Sequence, residues 1–301
     1  MFDMLLNSII PVFAIMAIGY FLGKIGWFTV EEARILNRFA IRIPLPALGF
    51  NLFVAVPIEA FDWSALQAYH GTELLLYGAS ALIARFVFAR EWSEAVLIGM
   101  VTVFVNHFLY VLPITVLLHG ESGALPVTAA VAIDSALVFS ATMVLVETIQ
   151  AGRVRVSGIL RSIFSNPIIL SGIAGVGINL SGIAAPAPIL TFTGFIGQAA
   201  APLALFALGV VLSASSLFGR NPAVWFFAAV KMIAMPVILW LVLSRPAPGN
   251  DWPGLLLLTA AGPSGAMAFS IAMLYRIRTD TIAPIIVWTS VLSLITMATL
   301  A

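Results

Sequence analysis

Two stretches decide the fold: Val105-Asn106-His107-Phe108-Leu109-Tyr110-Val111-Leu112-Pro113 and Ala260-Ala261-Gly262-Pro263-Ser264-Gly265. Each interrupts an apolar run with polar or helix-disrupting residues. Adding 156 to Asn106 gives 262, so the two interruptions fall at the same place in the two halves of the chain. Within lipid, helix-breaking residues persist only where the freed backbone groups find protein, water or a ligand. A matched pair of such interruptions is a sequence pointer to the substrate site of a secondary transporter.

Outside these stretches the chain reads as a membrane protein. Of its 301 residues 61% are hydrophobic and 9% charged, against roughly 25% charged in a soluble domain. The net charge of +1 points to no nucleic-acid partner. With no cysteine, disulfides, thiol catalysis and Cys-ligated metals are excluded. Met4 to Gly23 reads as a first span rather than a signal peptide, because its leading charge is Asp3 and no small-x-small cleavage site precedes Lys24.

Apolar runs near the ~20 residues needed to cross a bilayer occur ten times, at about 4–23, 35–56, 65–88, 95–118, 124–149, 166–183, 188–213, 222–244, 253–275 and 281–301. The expected fold is an all-α membrane protein of ten transmembrane helices. The longest charged connection, Gln150 to Ser165, divides it into halves 1–150 and 151–301. Basic residues set the orientation. The connections after spans one, three, five, seven and nine, with the adjoining helix ends, hold Lys24, Arg34, Arg38, Arg85, Arg90, Arg153, Arg155, Arg161, Arg220, Arg276 and Arg278. The opposite side holds Arg245 alone, beside Asp3, Glu59, Asp62, Glu121 and Asp251. Both termini are therefore expected on the non-cytoplasmic side. Trp27, Trp63, Trp92 and Trp252 fall near span ends, where amphipathic rings prefer the headgroup boundary.

The offset of 156 recurs without a gap. Pro11 meets Pro167, Gly19 meets Gly175, Gly26 meets Gly182, Pro46 meets Pro202 and Phe50 meets Phe206. Five spans per half is an odd number, so the second half is expected upside down relative to the first. Inverted repeats of this kind are used by alternating-access transporters.

These residues also resemble a known family, the auxin efflux carriers, which include plant auxin exporters of the PIN type and bacterial malonate-permease-like proteins. The segments that carry the resemblance are Ile10-Pro11-Val12-Phe13 with Gly19-Tyr20, Ile43-Pro44-Leu45-Pro46-Ala47-Leu48, Asn166-Pro167-Ile168-Ile169, Ala201-Pro202-Leu203-Ala204-Leu205-Phe206-Ala207-Leu208-Gly209, and Pro263-Ser264-Gly265 with Ala268-Phe269 and Tyr275. The resemblance implies a fold like that of sodium/proton antiporters and bile-acid transporters. Spans one, two, six and seven would form a dimerising scaffold, giving a homodimer. Spans three to five and eight to ten would form a transport unit with broken helices four and nine crossing at its centre. It further implies small organic anions, mono- or dicarboxylates, as substrates, and a bacterial inner membrane as the location. One departure is visible: family members often carry a Gly-rich break around the asparagine of span four, whereas this chain has Asn106-His107-Phe108-Leu109-Tyr110.

Charges within a span are costly and mark function by default. Lys231 in span eight and Asp134 in span five lie near mid-depth and form a candidate coupling pair for protons or sodium, provided their spans meet. In the antiporter fold that the chain resembles, an acidic residue on span five and a lysine two spans from the end are close. Asn106 offers an amide donor and a carbonyl acceptor at a break and is the leading candidate for a substrate carboxylate. Pro263 cannot donate a backbone hydrogen bond, so with Gly262 it shapes the second break. Ser264 would open the following half-helix, whose free N–H groups favour an anion. Pro113 kinks or ends span four. His107, Tyr110 and Asn51 are placed to reach the same cavity, His107 with an imidazole that titrates near neutral pH. His70 and Glu73 read as solvated near the outer end of span three, Glu147 as solvated near the inner end of span five, and Arg42 as snorkelling toward the cytoplasm.

Enzyme motifs are absent: the sequence has no P-loop, no His-Glu-x-x-His and no Gly-x-Ser-x-Gly. Gly172, Gly175 and Gly177 lie in an apolar span with no preceding strand, which fits close helix packing and not a dinucleotide loop. No cofactor or metal is expected. Three other functions compete with organic-anion transport: a cation/proton antiporter working through Asp134 and Lys231, a channel, and a ligand-binding membrane sensor. Few in-span polar residues are available to line a channel, and a sensor would need a partner for its output.

Overall fold

Helix starts and stops follow local chemistry along the chain. A computed structural model describes residues 14–119, 123–152, 167–214, 221–243 and 251–300. Among these the chain is helical, with one isolated antiparallel bridge between Val105 and Ser264. In order, the helices are α1 (Ala14–Lys24), α2 (Val30–Arg42), α3 (Pro44–Ala55), α4 (Trp63–Phe86), α5 (Trp92–Val103), α6 (Leu112–His119), α7 (Ala124–Asp134) and α8 (Ser140–Gln150). They continue as α9 (Pro167–Ser181), α10 (Ala187–Gly197), α11 (Ala200–Ser213), α12 (Pro222–Ala229), α13 (Met235–Val242), α14 (Trp252–Ala260), α15 (Met267–Leu274) and α16 (Ile282–Leu300). Wide π-turns occupy His107–Val111, Ser135–Phe139 and Val230–Ala234.

Thr29 opens α2 with a reciprocal capping box: the Glu32 N–H donates to Thr29 Oγ1, and the Thr29 N–H donates to Glu32 Oε2 at 2.8 Å. Pro44 then forces an interruption at Ile43 and restarts the chain as α3. Asp62 caps α4, accepting from the N–H groups of Ser64 and Ala65.

Each apolar run foreseen in the sequence is helical over most of its described residues. Val30–Ala55, Ala124–Gln150, Ala187–Ser213 and Pro222–Val242 are long and apolar enough to cross a membrane, and several shorter apolar helices accompany them. The polar stretch Gln67 to Glu73 sets α4 apart from these despite its 24 residues. Pro11, Arg153, Arg155, Arg161, Asn166, Arg220, Arg245, Asp3 and Glu121 lie outside the described residues.

α3 packs along α9 and α10, and α11 packs along α2. Glycines set how closely these helices approach. A Cβ on Gly175 would lie 2.8 Å from the Phe50 carbonyl oxygen, and one on Gly19 would lie 2.3 Å from that of Phe206. These are one contact repeated, since 19 and 175 differ by 156, as do 50 and 206. Gly26 and Gly182, also 156 apart, both hold a left-handed backbone with φ of 76° and 67° at helix C-termini.

Ion pairs and aromatic contacts bind the loops at two ends. Arg90 reaches Glu94 at 3.3 Å, Asp280 at 4.0 Å and the Asn221 side-chain carbonyl at 3.4 Å. Arg276 lies 3.9 Å from Glu31. Elsewhere Phe61 packs its ring against Trp63 and Trp252. Loops assigned to one side from charge alone thus meet one another.

Candidate functional site

The two interrupted segments meet back to back. α5 stops at Val103 and α14 at Ala260, and the extended residues between the half-helices pair as a two-rung antiparallel ladder. The Asn106 N–H donates to the Pro263 carbonyl at 2.9 Å, and the Gly265 N–H donates to the Phe104 carbonyl at 2.8 Å. Each break therefore satisfies backbone groups that the other frees, which is what makes non-helical chain tolerable at this depth. Pro263 takes part only as an acceptor, the one role its backbone allows. A Cβ on Gly262 would lie 2.5 Å from Val111 Cγ2, and one on Gly265 would lie 3.0 Å from the Val105 carbonyl oxygen, so this crossing needs glycine on both sides of Pro263-Ser264. The Ser264 N–H donates to Thr289 Oγ1 at 3.1 Å, while its own hydroxyl is fully buried without a hydrogen-bond partner. Pro113 is the second residue of α6, just past the π-turn, where its missing N–H costs little.

A cavity of about 480 Å³ opens beside the crossing. α3 and α9 wall it on one side through Leu48, Gly49, Phe53 and Gly172. The breaks wall it on the other, through Phe104 to His107 and Gly265 to Met267. Its lining is apolar except at Asn106, His107, Ser135 and Ser140. Asn106 is half-buried and projects into it. An apolar chamber with a few convergent polar groups is the usual form of a small-molecule site.

Not every residue expected at the cavity reaches it. Tyr110 turns to α16, accepting from Ser293 Oγ at 2.6 Å and donating to the Ser290 carbonyl at 3.4 Å. Asn51 turns to α10, where its amide donates to the Leu190 carbonyl at 3.3 Å and its carbonyl accepts from the Thr193 hydroxyl. Both satisfy their polar groups on a neighbouring helix instead. Arg42 is exposed. Glu147 is half-buried and accepts from the Tyr275 hydroxyl.

Behind the crossing lies a buried charge cluster. Asp134 is fully buried, with Oδ1 3.1 Å from His70 Nδ1 and Oδ2 3.3 Å from His107 Nε2. His70 Nδ1 is also 3.0 Å from Glu73 Oε2. One ligand atom from each of His70, Glu73 and Asp134 lies within 4.8 Å of the others, so the three can share a proton or a small cation. Lys231, also fully buried, donates to the Ala260 carbonyl at 2.9 Å and to Met235 Sδ at 3.2 Å. Among the described residues no ion pair joins it to Asp134. The ammonium instead serves a carbonyl at the end of α14, and histidines take the carboxylate.

His70 and Glu73 are thus buried, contrary to their reading as solvated residues. α4 begins at Trp63, so at 1.5 Å per residue they stand about 10 and 15 Å along it. Their spacing of three residues was the available signal, because it puts both on one helix face. His107, Asp134 and Lys231 each sit in or directly before a π-turn, a distortion frequent at functional sites.

A family model described as membrane transport protein matches residues 4–301. The chain belongs to that family. It is the auxin efflux carrier family that the sequence resembles, and it makes the chain a transporter rather than an enzyme. Among the relatives of this membrane transport protein, one from Rhizobium meliloti, named "Putative malonate transporter", is 26% identical over 96% of this chain and 92% of its own length. An "Uncharacterized transporter" of Methanocaldococcus jannaschii is 25% identical over 97% of this chain and 96% of its own. Another of Escherichia coli K12 is 22% identical over 93% and 91%.

Proposed function

We propose that this membrane transport protein is a secondary transporter of small organic anions, mono- or dicarboxylates, working by alternating access. The observation that carries the reading is the ladder between the two breaks, with Asn106 and His107 facing a cavity whose lining is otherwise apolar but for Ser135 and Ser140. The Asn106 amide donates to a substrate carboxylate there, while the unpartnered Ser264 hydroxyl is buried in the crossing, outside the cavity lining. The name carried by the Rhizobium relative makes malonate the first acid to try.

In this reading ten spans form two inverted repeats, 1–150 and 151–301. The repeated Gly19–Phe206 and Gly175–Phe50 contacts and the twin left-handed glycines favour it. Spans one, two, six and seven serve as a dimeric scaffold, and spans three to five and eight to ten move against it as an elevator. The cavity lies between these two sets of helices. Both termini face outward across the cell membrane, the orientation that the distribution of basic residues favours.

Counterflow tests the proposal. Liposomes holding the purified protein and unlabelled acid are given labelled malonate, succinate, lactate or an aromatic acid, with no ion gradient. Exchange of one of these acids that is lost in Asn106→Ala is expected. No exchange with any acid, together with sodium- or pH-dependent proton flux, would favour a cation/proton antiporter, for which the buried cluster at Asp134 is also suited.

A further inference from the structure

Four titratable side chains from three segments meet out of reach of solvent just behind the cavity wall. Glu73 and Asp134 are 0% exposed, His107 2% and His70 6%. His70 Nδ1 faces both carboxylates, at 3.0 and 3.1 Å, and His107 Nε2 closes on the far oxygen of Asp134 at 3.3 Å. His107 alone of the four also lines the cavity, next to Asn106. Two further titratable groups face the cluster. Lys231 approaches from the turn between α12 and α13, and the buried Tyr69 hydroxyl, without a hydrogen-bond partner, comes from α4 itself.

The charges do not balance as they stand. Two buried carboxylates face one ammonium, and an uncompensated charge at this depth is costly. One added proton makes the sum zero. The imidazole of His70, held between both carboxylates, is the group placed to carry it, and Glu73 Oε1 is a buried acceptor still without a partner. Sodium suits the cluster poorly. Hard cations are served by oxygen donors, whereas here imidazole nitrogens already lie against the carboxylate oxygens.

We infer that His70, Glu73, Asp134 and His107 form the coupling-proton site of this transporter, with Glu73 and His70 as positioning and proton-holding residues outside the substrate cavity. The inference rests on the anion-carrier reading above. An unprotonated cluster has a net negative charge behind His107 and repels an anion at Asn106 across a medium of low dielectric. Protonated, the cluster and Lys231 together are neutral, and that repulsion is gone. Anion and proton therefore favour each other's binding reciprocally. They travel together, the proton entering from water on one face and leaving to water on the other.

The test compares two readouts on one preparation of protein in liposomes, with malonate as the probe. Malonate counterflow reports carriage. Malonate accumulation under a pH gradient, acidic on the loading side, reports coupling. The expected wild-type result is accumulation that follows the pH gradient and ignores a sodium gradient. Glu73→Gln and His70→Gln are each expected to lower the ratio of accumulation to counterflow by about tenfold or more and to flatten its pH profile. Taking the ratio cancels any loss of folded protein. Counterflow without response to the pH gradient overturns the coupling alone. So does accumulation that is abolished by a chelator and restored by a divalent metal, or a ratio unchanged in both variants. Absence of counterflow with malonate, succinate, lactate and an aromatic acid overturns the carrier reading and the inference with it.

Discussion

Asn106 and Ser264 stand on opposite strands of the crossing, yet their side chains meet different surroundings. Asn106 projects into the cavity, whereas the Ser264 hydroxyl is buried with no protein partner. Asn106→Ala is expected to reduce counterflow by about tenfold or more, the effect of losing roughly one charge-assisted hydrogen bond. Ser264→Ala should leave the melting temperature in detergent unchanged or raised, because removing an unpaired buried hydroxyl relieves a desolvation penalty. Lys231→Met makes the opposite test. It strips the buried Ala260 carbonyl of its donor, so a loss of about 1–3 kcal/mol is expected in chemical denaturation. The exceptional types Asn106, Asp134 and Lys231 stand out in an apolar sequence. Of the groups around Asp134, His107 stands out as well, but His70 and Glu73 do not, because they are ordinary near a helix end and become exceptional only once α4 carries them inward.

At the scale of elements, local residue chemistry and helix contact act together. Thr29 and Asp62 cap α2 and α4, Pro44 restarts the chain as α3, and Gly26 and Gly182 end helices, each through its own local chemistry. Gly26 and Gly182 terminate helices at positive φ, so Gly26→Ala and Gly182→Ala are each expected to cost about 1 kcal/mol, read as a lowered melting temperature. Gly175→Leu should cost more, about 1–3 kcal/mol, since its Cβ would strike the Phe50 carbonyl and force α3 from α9. The π-turns carry no such mark. One extra residue in a turn is stabilised by neighbours that local sequence does not contain, so periodicity alone passes over His107–Val111, Ser135–Phe139 and Val230–Ala234.

For the whole molecule, the contact to watch joins α2 to α15. Asn37 Nδ2 donates to the Ser270 carbonyl and the Ser270 hydroxyl donates to Asn37 Oδ1, both at 2.8 Å and both buried. An elevator movement of spans eight to ten against spans one and two has to break this pair. Ser270→Ala leaves the Asn37 carbonyl oxygen without its donor, so a loss of about 1–3 kcal/mol is expected in thermal melts, together with a changed rate of net transport. Reporter fusions should place Arg90 and Arg278 on one face and Trp63 and Trp252 on the other. A cytoplasmic N-terminus or an odd number of spans would overturn the inverted arrangement.

Composition and the spacing of hydrophobic runs by themselves determined an all-helical membrane chain. They also determined where the fourth and ninth runs break, since lipid leaves the backbone few choices and Pro, Gly and Asn declare the exceptions. The offset of 156 pointed to twin glycines whose contacts do repeat. Tertiary structure decided the rest. It paired Phe104 to Asn106 with Pro263 to Gly265, turned Tyr110 and Asn51 away from the cavity, and gave Asp134 to two histidines instead of Lys231. The physical reason is that a buried polar group takes the nearest partner that packing supplies. Which helix supplies it depends on crossing positions that span order and hydropathy leave open.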